Sequence, residues 1–210
     1  YYKKMSSLMP YYMDNMRIRY SGKNNAKGYA YGMDARLFGE FVPGVDSWIS
    51  VGYSRIYENI DNKGFIPRPT DQRFRVSMFY QDYMPKFPSM RVNLTLVYAS
   101  GLPTGTPILF NADGTPNFDT AYHFQKTLTS YKRVDIGLTK IFIDQNDHKP
   151  KSVFWSKFKE LSLGVQVFNA FNIHNTVANQ WINDIETGYY YPVPVRLTGR
   201  FFNAKLEFKF

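Results

Sequence analysis

From residue 202 to the end the chain alternates apolar with polar, and successive side chains of a strand point to opposite faces. One face is Phe202, Ala204, Leu206, Phe208 and Phe210; the other is Asn203, Lys205, Glu207 and Lys209. The same two-residue period recurs along the chain and predicts about eight antiparallel strands. In the first, Tyr12, Met16, Ile18 and Tyr20 oppose Asn15, Arg17 and Arg19. In the second, Tyr29, Tyr31, Met33, Ala35 and Leu37 oppose Asp34, Arg36, Phe38 and Glu40. The third carries Ile49, Val51 and Tyr53. The fourth sets Phe74, Val76, Met78 and Tyr80 against Arg73, Arg75, Ser77 and Gln81. The fifth is the cleanest, with Val92, Leu94, Leu96 and Tyr98 against Arg91, Asn93 and Thr95. Val134, Ile136 and Leu138 follow against Arg133, Asp135, Gly137 and Thr139. The seventh sets Leu161, Leu163, Val165 and Val167 against Ser162, Gly164 and Gln166 and is expected to run on past Asn169.

Turn chemistry separates these runs. Pro43-Gly44 and Pro85-Lys86-Phe87-Pro88 make short connections. Those at 58–69, 101–129 and 182–196 are long, and the last is expected to be an aromatic loop from Trp181 to Val195. Short turns at one end and long loops at the other is the arrangement of an outer-membrane barrel. The connection at 144–157 breaks the pattern, being long on the short-turn side.

A chain with this alternation from end to end, closing on an aromatic residue, reads as all-β: a transmembrane antiparallel β-barrel. Composition strengthens that picture. Aromatics make up 18% of the 210 residues, which suits the girdles at the two membrane interfaces. Mean hydropathy is −0.40, and barrel strands escape hydropathy windows because every second residue is polar. There is no cysteine, hence no disulfide framework and no thiolate site. The net charge of +9 is assigned to lumen and loops rather than to nucleic acid, since no basic helix or cluster occurs. The chain starts Tyr1-Tyr2-Lys3-Lys4, so a removed leader or a preceding part is expected.

Charge then constrains barrel size. An eight-stranded barrel is just wide enough to be filled by side chains. Its inward positions would hold eight cations (Arg17, Arg19, Arg36, Arg73, Arg75, Arg91, Arg133 and Lys205) against four anions (Asp34, Glu40, Asp135 and Glu207). An unpaired buried charge costs about 3–5 kcal/mol. The imbalance favours a wider lumen that is wet or filled by another segment.

Several stretches occur in a family's order: Ala26-Lys27-Gly28-Tyr29-Ala30-Tyr31-Gly32-Met33-Asp34, Pro69-Thr70-Asp71-Gln72-Arg73, Tyr98-Ala99-Ser100-Gly101-Leu102-Pro103, Tyr131-Lys132-Arg133-Val134-Asp135-Ile136-Gly137, Val167-Phe168-Asn169-Ala170-Phe171-Asn172 and Leu197-Thr198-Gly199-Arg200. With the terminal Phe210, they resemble the C-terminal third of a TonB-dependent receptor, in the branch that often carries a carboxypeptidase-regulatory-like domain. The resemblance covers nearly all of residues 1–210. It implies the last eight strands of a barrel of about 22 strands with a plugged lumen. The family's plug and its TonB-contacting segment precede the barrel and are not in this chain. The implied activity is import of a scarce nutrient (siderophore, haem, peptide or glycan) across a Gram-negative outer membrane, driven through TonB, with the C-terminus periplasmic. The implied partners are outer-membrane lipid, the rest of the barrel and plug, the TonB complex and, as a candidate, a surface lipoprotein. No cofactor is implied.

The inward set Arg17, Arg19, Arg36, Arg73, Arg75, Arg91 and Arg133 would face lumen or plug. Substrate contacts would come from the loops: Phe110, Asn111, Asp113, Tyr122, His123 and Phe124, with Trp181, Tyr189, Tyr190 and Tyr191. Their aromatic rings offer large contact area, although the same rings suit an interfacial girdle. A small self-contained barrel, as adhesin or anchor, is the alternative that length alone suits. An enzyme is not expected. His123, His148 and His174 lie in separate loops, no Gly-x-Ser-x-Gly occurs, and no metal-ligand spacing is present.

Overall fold

The computed structural model describes residues 1–14, 17–43, 45–84, 86–105, 111–112, 126–144 and 154–210. Strand β1 (Tyr2–Leu8) is followed by a hairpin of β2 (Tyr11–Asp14) and β3 (Arg17–Tyr20), then by the long strands β4 (Ala26–Val42) and β5 (Val45–Ile60). Next come β6 (Ile66–Pro67), β7 (Phe74–Met84), β8 (Phe87–Ala99), β9 (Pro103–Thr104), β10 (Lys126–Thr127) and β11 (Tyr131–Ile143). A single 3-10 turn at Trp155–Lys157 precedes β12 (Glu160–Phe168), β13 (Thr176–Asn183), β14 (Tyr190–Arg196) and β15 (Phe201–Lys209).

The fold is all-β and antiparallel. One large sheet runs β1-β4-β5-β7-β8-β11-β12-β15, with β6 pairing beside β5. Each wall strand pairs with the wall strands before and after it in sequence, so the sheet is an up-and-down meander. Among the described residues β1 pairs only with β4 and β15 only with β12, which leaves two edges. Alternating direction puts the connections at 43–44, 85–86 and 144–159 at one end, the turn end. Those at 9–25, 61–73, 100–130 and 169–200 lie at the other, the loop end. The three two-stranded hairpins, β2–β3, β9–β10 and β13–β14, all belong to loop-end connections.

Seven of the eight predicted strands are wall strands, and three expectations need correction. Residues 12–14 and 17–20 do not form a wall strand, and Asn15 and Met16 lie outside the described residues. The described ones belong to a segment that folds on itself, with Tyr11 opposite Tyr20 and Asp14 opposite Arg17. The place in the sheet belongs to β1, where Tyr2 and Lys4 share one face and Lys3 and Met5 the other, which gives no apolar alternation. β1 also carries a bulge between Met5 and Leu8, with Ser7 at φ 51°. The seventh strand stops at Phe168 instead of passing Asn169, because Asn169 and Asn172 adopt left-handed backbone, φ 50° and 53°. The stretch from Trp181 to Val195 is not a loop but the hairpin β13–β14, in register from Ala178 opposite Val195 to Asn183 opposite Tyr190.

Candidate functional site: the two faces of the sheet wall

Residues directly opposite each other on paired strands share a face, so the register assigns every wall residue to one side. On one face Ala35 meets Val51, Val51 meets Val76, Leu94 meets Ile136, Ile136 meets Val167 and Val167 meets Phe202. This apolar face continues through Met33, Leu37, Ile49, Met78, Leu96, Leu138, Val165, Leu163 and Leu206. Nothing in the described residues packs over it. Met33 is 71% exposed, Leu206 59% and Phe202 72%. An apolar patch this wide on a soluble surface would mark a partner or a second layer.

The centre of the apolar run shifts from strand to strand. It lies at Ala35 and Val51 on β4 and β5. Val51 is in line with Val76, Tyr98 and Lys132, yet on β11 the run is centred on Ile136, four residues nearer the turn end. Ile136 is in line with Val167 and Phe202, yet on β15 the centre falls between Ala204 and Leu206, another three residues along. A drift of about seven residues over six strand pairings, at ~3.3 Å per residue and ~4.8 Å between strands, inclines the apolar band by about 40° to the hydrogen-bond rows.

The opposite face is polar. Gln81, Asn93, Gln166 and Asn203 lie in one cross-strand row, with Gly137 between Asn93 and Gln166. A Cβ at Gly137 would collide with the Asn93 amide, so glycine there makes room for the row. Arg36, Arg75, Arg91, Arg133 and Lys205 share this face with Asp34, Glu40, Asp135 and Glu207, as the alternation predicted. Arg75 Nη2 lies 3.6 Å from Asp34 Oδ1, Arg133 Nε 2.7 Å from Asp135 Oδ1 and Lys205 Nζ 2.9 Å from Glu207 Oε1. Arg36 stacks over Trp48 at 5.0 Å. Arg17 and Arg19 sit on the β2–β3 hairpin, outside the wall. Arg73 precedes β7 and lies 3.8 Å from Asp71.

Two buried aspartates fasten loops to strand ends, and alternation gave no signal for their roles. Asp71 accepts the Ile56 amide at 2.7 Å and pairs with Arg55 at 3.4 Å. Beside it, Gln72 Nε2 donates to the Ser100 carbonyl. Asp135 accepts the Asn169 amide at 2.8 Å as well as Arg133. Asn169 then closes its own loop, donating to the Ile173 carbonyl at 2.9 Å and accepting the Ile173 amide at 3.0 Å. Asn175 grips both backbone groups of Lys132 at 2.8 Å. The Asp71 and Asn169 stretches quoted above for their resemblance are therefore anchors of the loop end.

Glu58 is also buried at the loop end, on the polar side of β5 and beyond the apolar band, which ends at Tyr53 on that strand. Burial pushes its carboxyl up to about 7, while Arg68, 3.2 Å away, pulls it down. Arg68 in turn lies over the ring of Tyr11, 4.8 Å from its centroid.

Of the predicted substrate-contact residues, Phe110, Asp113, Tyr122, His123 and Phe124 lie outside the described residues; Asn111 is described and exposed. Trp181 on β13 and Tyr190 and Tyr191 on β14 lie near the tip of one hairpin, with Tyr189 just before β14. There Tyr191 lies opposite Ile182 and Trp181 opposite Pro192. Asp184 holds the tip by accepting from the Thr187 hydroxyl at 2.8 Å and the Glu186 amide at 3.0 Å, and these bonds lower its pKa. The tip is exposed, with Ile185 at 94% between the polar residues Asp184 and Glu186. Among the described residues no group of His, Asp and Glu could hold a metal ion. No protein-family model, curated protein or solved structure matches this chain.

Proposed function

We propose that residues 1–210 are a C-terminal segment, strands and connections, of the barrel of a TonB-dependent outer-membrane receptor that imports a scarce nutrient with energy relayed from TonB. The observation that carries this reading is the inclined apolar band. Strands of membrane barrels tilt by about 35–45°, and a lipid-facing band must stay level with the membrane. It must therefore cross the hydrogen-bond rows at that angle, and the measured drift corresponds to about 40°. The band also has the right height. On β11 the outward positions from Lys132 to Lys140 span eight residues, ~26 Å along the strand and ~20 Å along the membrane normal once tilted, close to the ~25 Å of such bands.

The polar face would then line the lumen. Its amide row and paired charges suit water or a polar segment filling a wide barrel. The anchored hairpins of the loop end would be extracellular, with Trp181 and Tyr189–Tyr191 offered to ligand. Importer rather than simple pore rests on the family resemblance of the motif order.

Expression of residues 1–210 alone in detergent tests the receptor reading. Failure to give a folded, heat-modifiable monomer is the expected result; such a monomer would overturn it in favour of a small self-contained barrel. In the full-length protein, uptake of the transported nutrient should stop when TonB is removed.

A further inference from the structure

The polar face carries aromatic rings as well, and two of its arginines lie on them. Arg36 and Arg133 stand in one cross-strand row, Arg36-Ser50-Ser77-Val97-Arg133. Arg36 lies over Trp48 on the neighbouring strand at 5.0 Å, and Arg133 over Phe168 at 5.1 Å. A guanidinium stacked by its flat face keeps the donors of its edge for planar recognition of a carboxylate. At Arg133 that edge is in use: Nε lies 2.7 and 3.0 Å from the two oxygens of Asp135, two residues further along β11. β4 runs in the same direction as β11, and the residue two further along from Arg36 is Phe38. Asp34, two residues before, is paired with Arg75 instead. Among the described residues no carboxylate lies within ion-pair distance of Arg36.

The surroundings of Arg36 are open and largely apolar. Phe38 lies opposite Trp48, and Trp48 opposite Phe79, so three rings border Arg36 on its turn-end side. Phe38 is 75% exposed. Across from Arg36 its own row holds only the small side chains of Ser50 and Ser77. On the loop-end side the Asp34 carboxylate leans over Gly52 towards Arg75. The serines thus floor a trough between a wall of rings and an ion pair, with Arg36 at its β4 end.

We infer that Arg36, Trp48, Phe38 and Phe79 form a binding site for a small ligand that carries a carboxylate on an apolar body. The carboxylate takes the edge of the Arg36 guanidinium, as Asp135 does at Arg133, and the body covers Phe38 and Phe79. An acidic side chain from elsewhere in the protein would pair with Arg36 and leave those rings bare. An aryl or short aliphatic acid satisfies both. The inference rests on the receptor reading above, which puts this face in the lumen, and it narrows the nutrient to an organic acid of this form.

The test titrates the full-length protein in detergent with 3-(4-fluorophenyl)propionate and with its neutral amide, read by fluorine NMR against a detergent blank. The acid should bind and the amide should not. Arg36→Gln should weaken binding of the acid about tenfold (~1.4 kcal/mol), close to the low end of what a hydrogen bond to a charged group contributes. Arg36→Lys, which keeps the charge without the planar edge, should recover only part of the loss. Phe38→Ala should weaken binding as well, and Lys205→Gln, on the same face but outside the trough, should leave it unchanged. Equal binding of acid and amide, no binding of either, or an Arg36→Gln variant that binds as wild type would each overturn the inference. So would a p-benzoylphenylalanine placed at Phe38 that cross-links, without ligand, to an acidic segment of the same chain, since the carboxylate would then be internal. Protein that binds the acid yet fails to enter bilayers would instead overturn the receptor reading and leave the site standing.

Discussion

The two faces of one sheet are built from the same strands, yet they are held by different means. The polar face is organised by pairs and anchors: Arg133 with Asp135, Asp135 with the Asn169 amide, Arg75 with Asp34. The apolar face has no internal partner among the described residues, and its order comes from the alternation alone. The lesson is that the polar face is stabilised by the chain itself, whereas the apolar face needs an environment. Lipid supplies it in the present account.

The largest expected effect comes from placing charge on the wrong side. Ile136→Arg at the centre of the band should destabilise the membrane-folded protein by about 2–4 kcal/mol, whereas Gln166→Arg, in the amide row of the polar face, should cost under about 0.5 kcal/mol. Equilibrium unfolding from phospholipid vesicles in urea measures both. Equal costs would erase the distinction between faces.

Next comes an anchor of the polar face. Asp135→Ala removes the acceptor of the Asn169 amide and the partner of Arg133. A buried donor left without an acceptor costs about 1–3 kcal/mol, and the loop starting at Asn169 should open first, as faster hydrogen exchange over 169–175. Uniform loss of protection along β11 and β12 would show that Asp135 does not act as an anchor.

A smaller effect depends on pH. Glu58 holds its proton more tightly folded than unfolded, from 4.5 up to about 7. The folded state therefore binds more protons across that window, and stability falls as pH rises from about 4.5 to about 7. Glu58→Gln, which cannot titrate, should remove that slope in urea titrations at several pH values. A slope that survives the substitution would assign it to other groups. A small effect is expected at Asp34→Ala too: its pair with Arg75 is half-exposed on both sides and should be worth less than about 1 kcal/mol.

The alternation in the sequence made the wall legible because period two follows directly from strand geometry. It placed Asp34, Arg36, Arg75, Arg91 and Arg133 on the polar face and Val92, Leu94, Leu96 and Tyr98 on the apolar one. It failed where residues leave the wall. Residues 12–14 and 17–20 have apolar spacing yet form part of a hairpin, since periodicity cannot say which partner a strand takes. β1 has the partner without the periodicity. Asn169 ends β12 through left-handed backbone and side-chain bonds, a signal carried by asparagine chemistry rather than by hydrophobic pattern. The buried state of Glu58 depends on Arg68 and β6, which no local pattern reports. Loop candidates such as Trp181 and Tyr189–Tyr191 could be named as aromatic but not placed on one hairpin until the β13–β14 register set Trp181 opposite Pro192 and Tyr191 opposite Ile182.

Because the chain has no cysteine, single cysteines can be introduced one at a time along residues 132–140 of the membrane-inserted, full-length protein and spin-labelled. The measurement is collision with a lipid-soluble quencher against a water-soluble one. Lipid access should peak at residues 134, 136 and 138, highest at 136, with water access at 133, 135, 137 and 139. The same scan on β5 should peak at Val51, and on β12 between Leu163 and Val165, following the inclined band. Access that does not alternate, or maxima that follow one hydrogen-bond row across the three strands, would contradict the account.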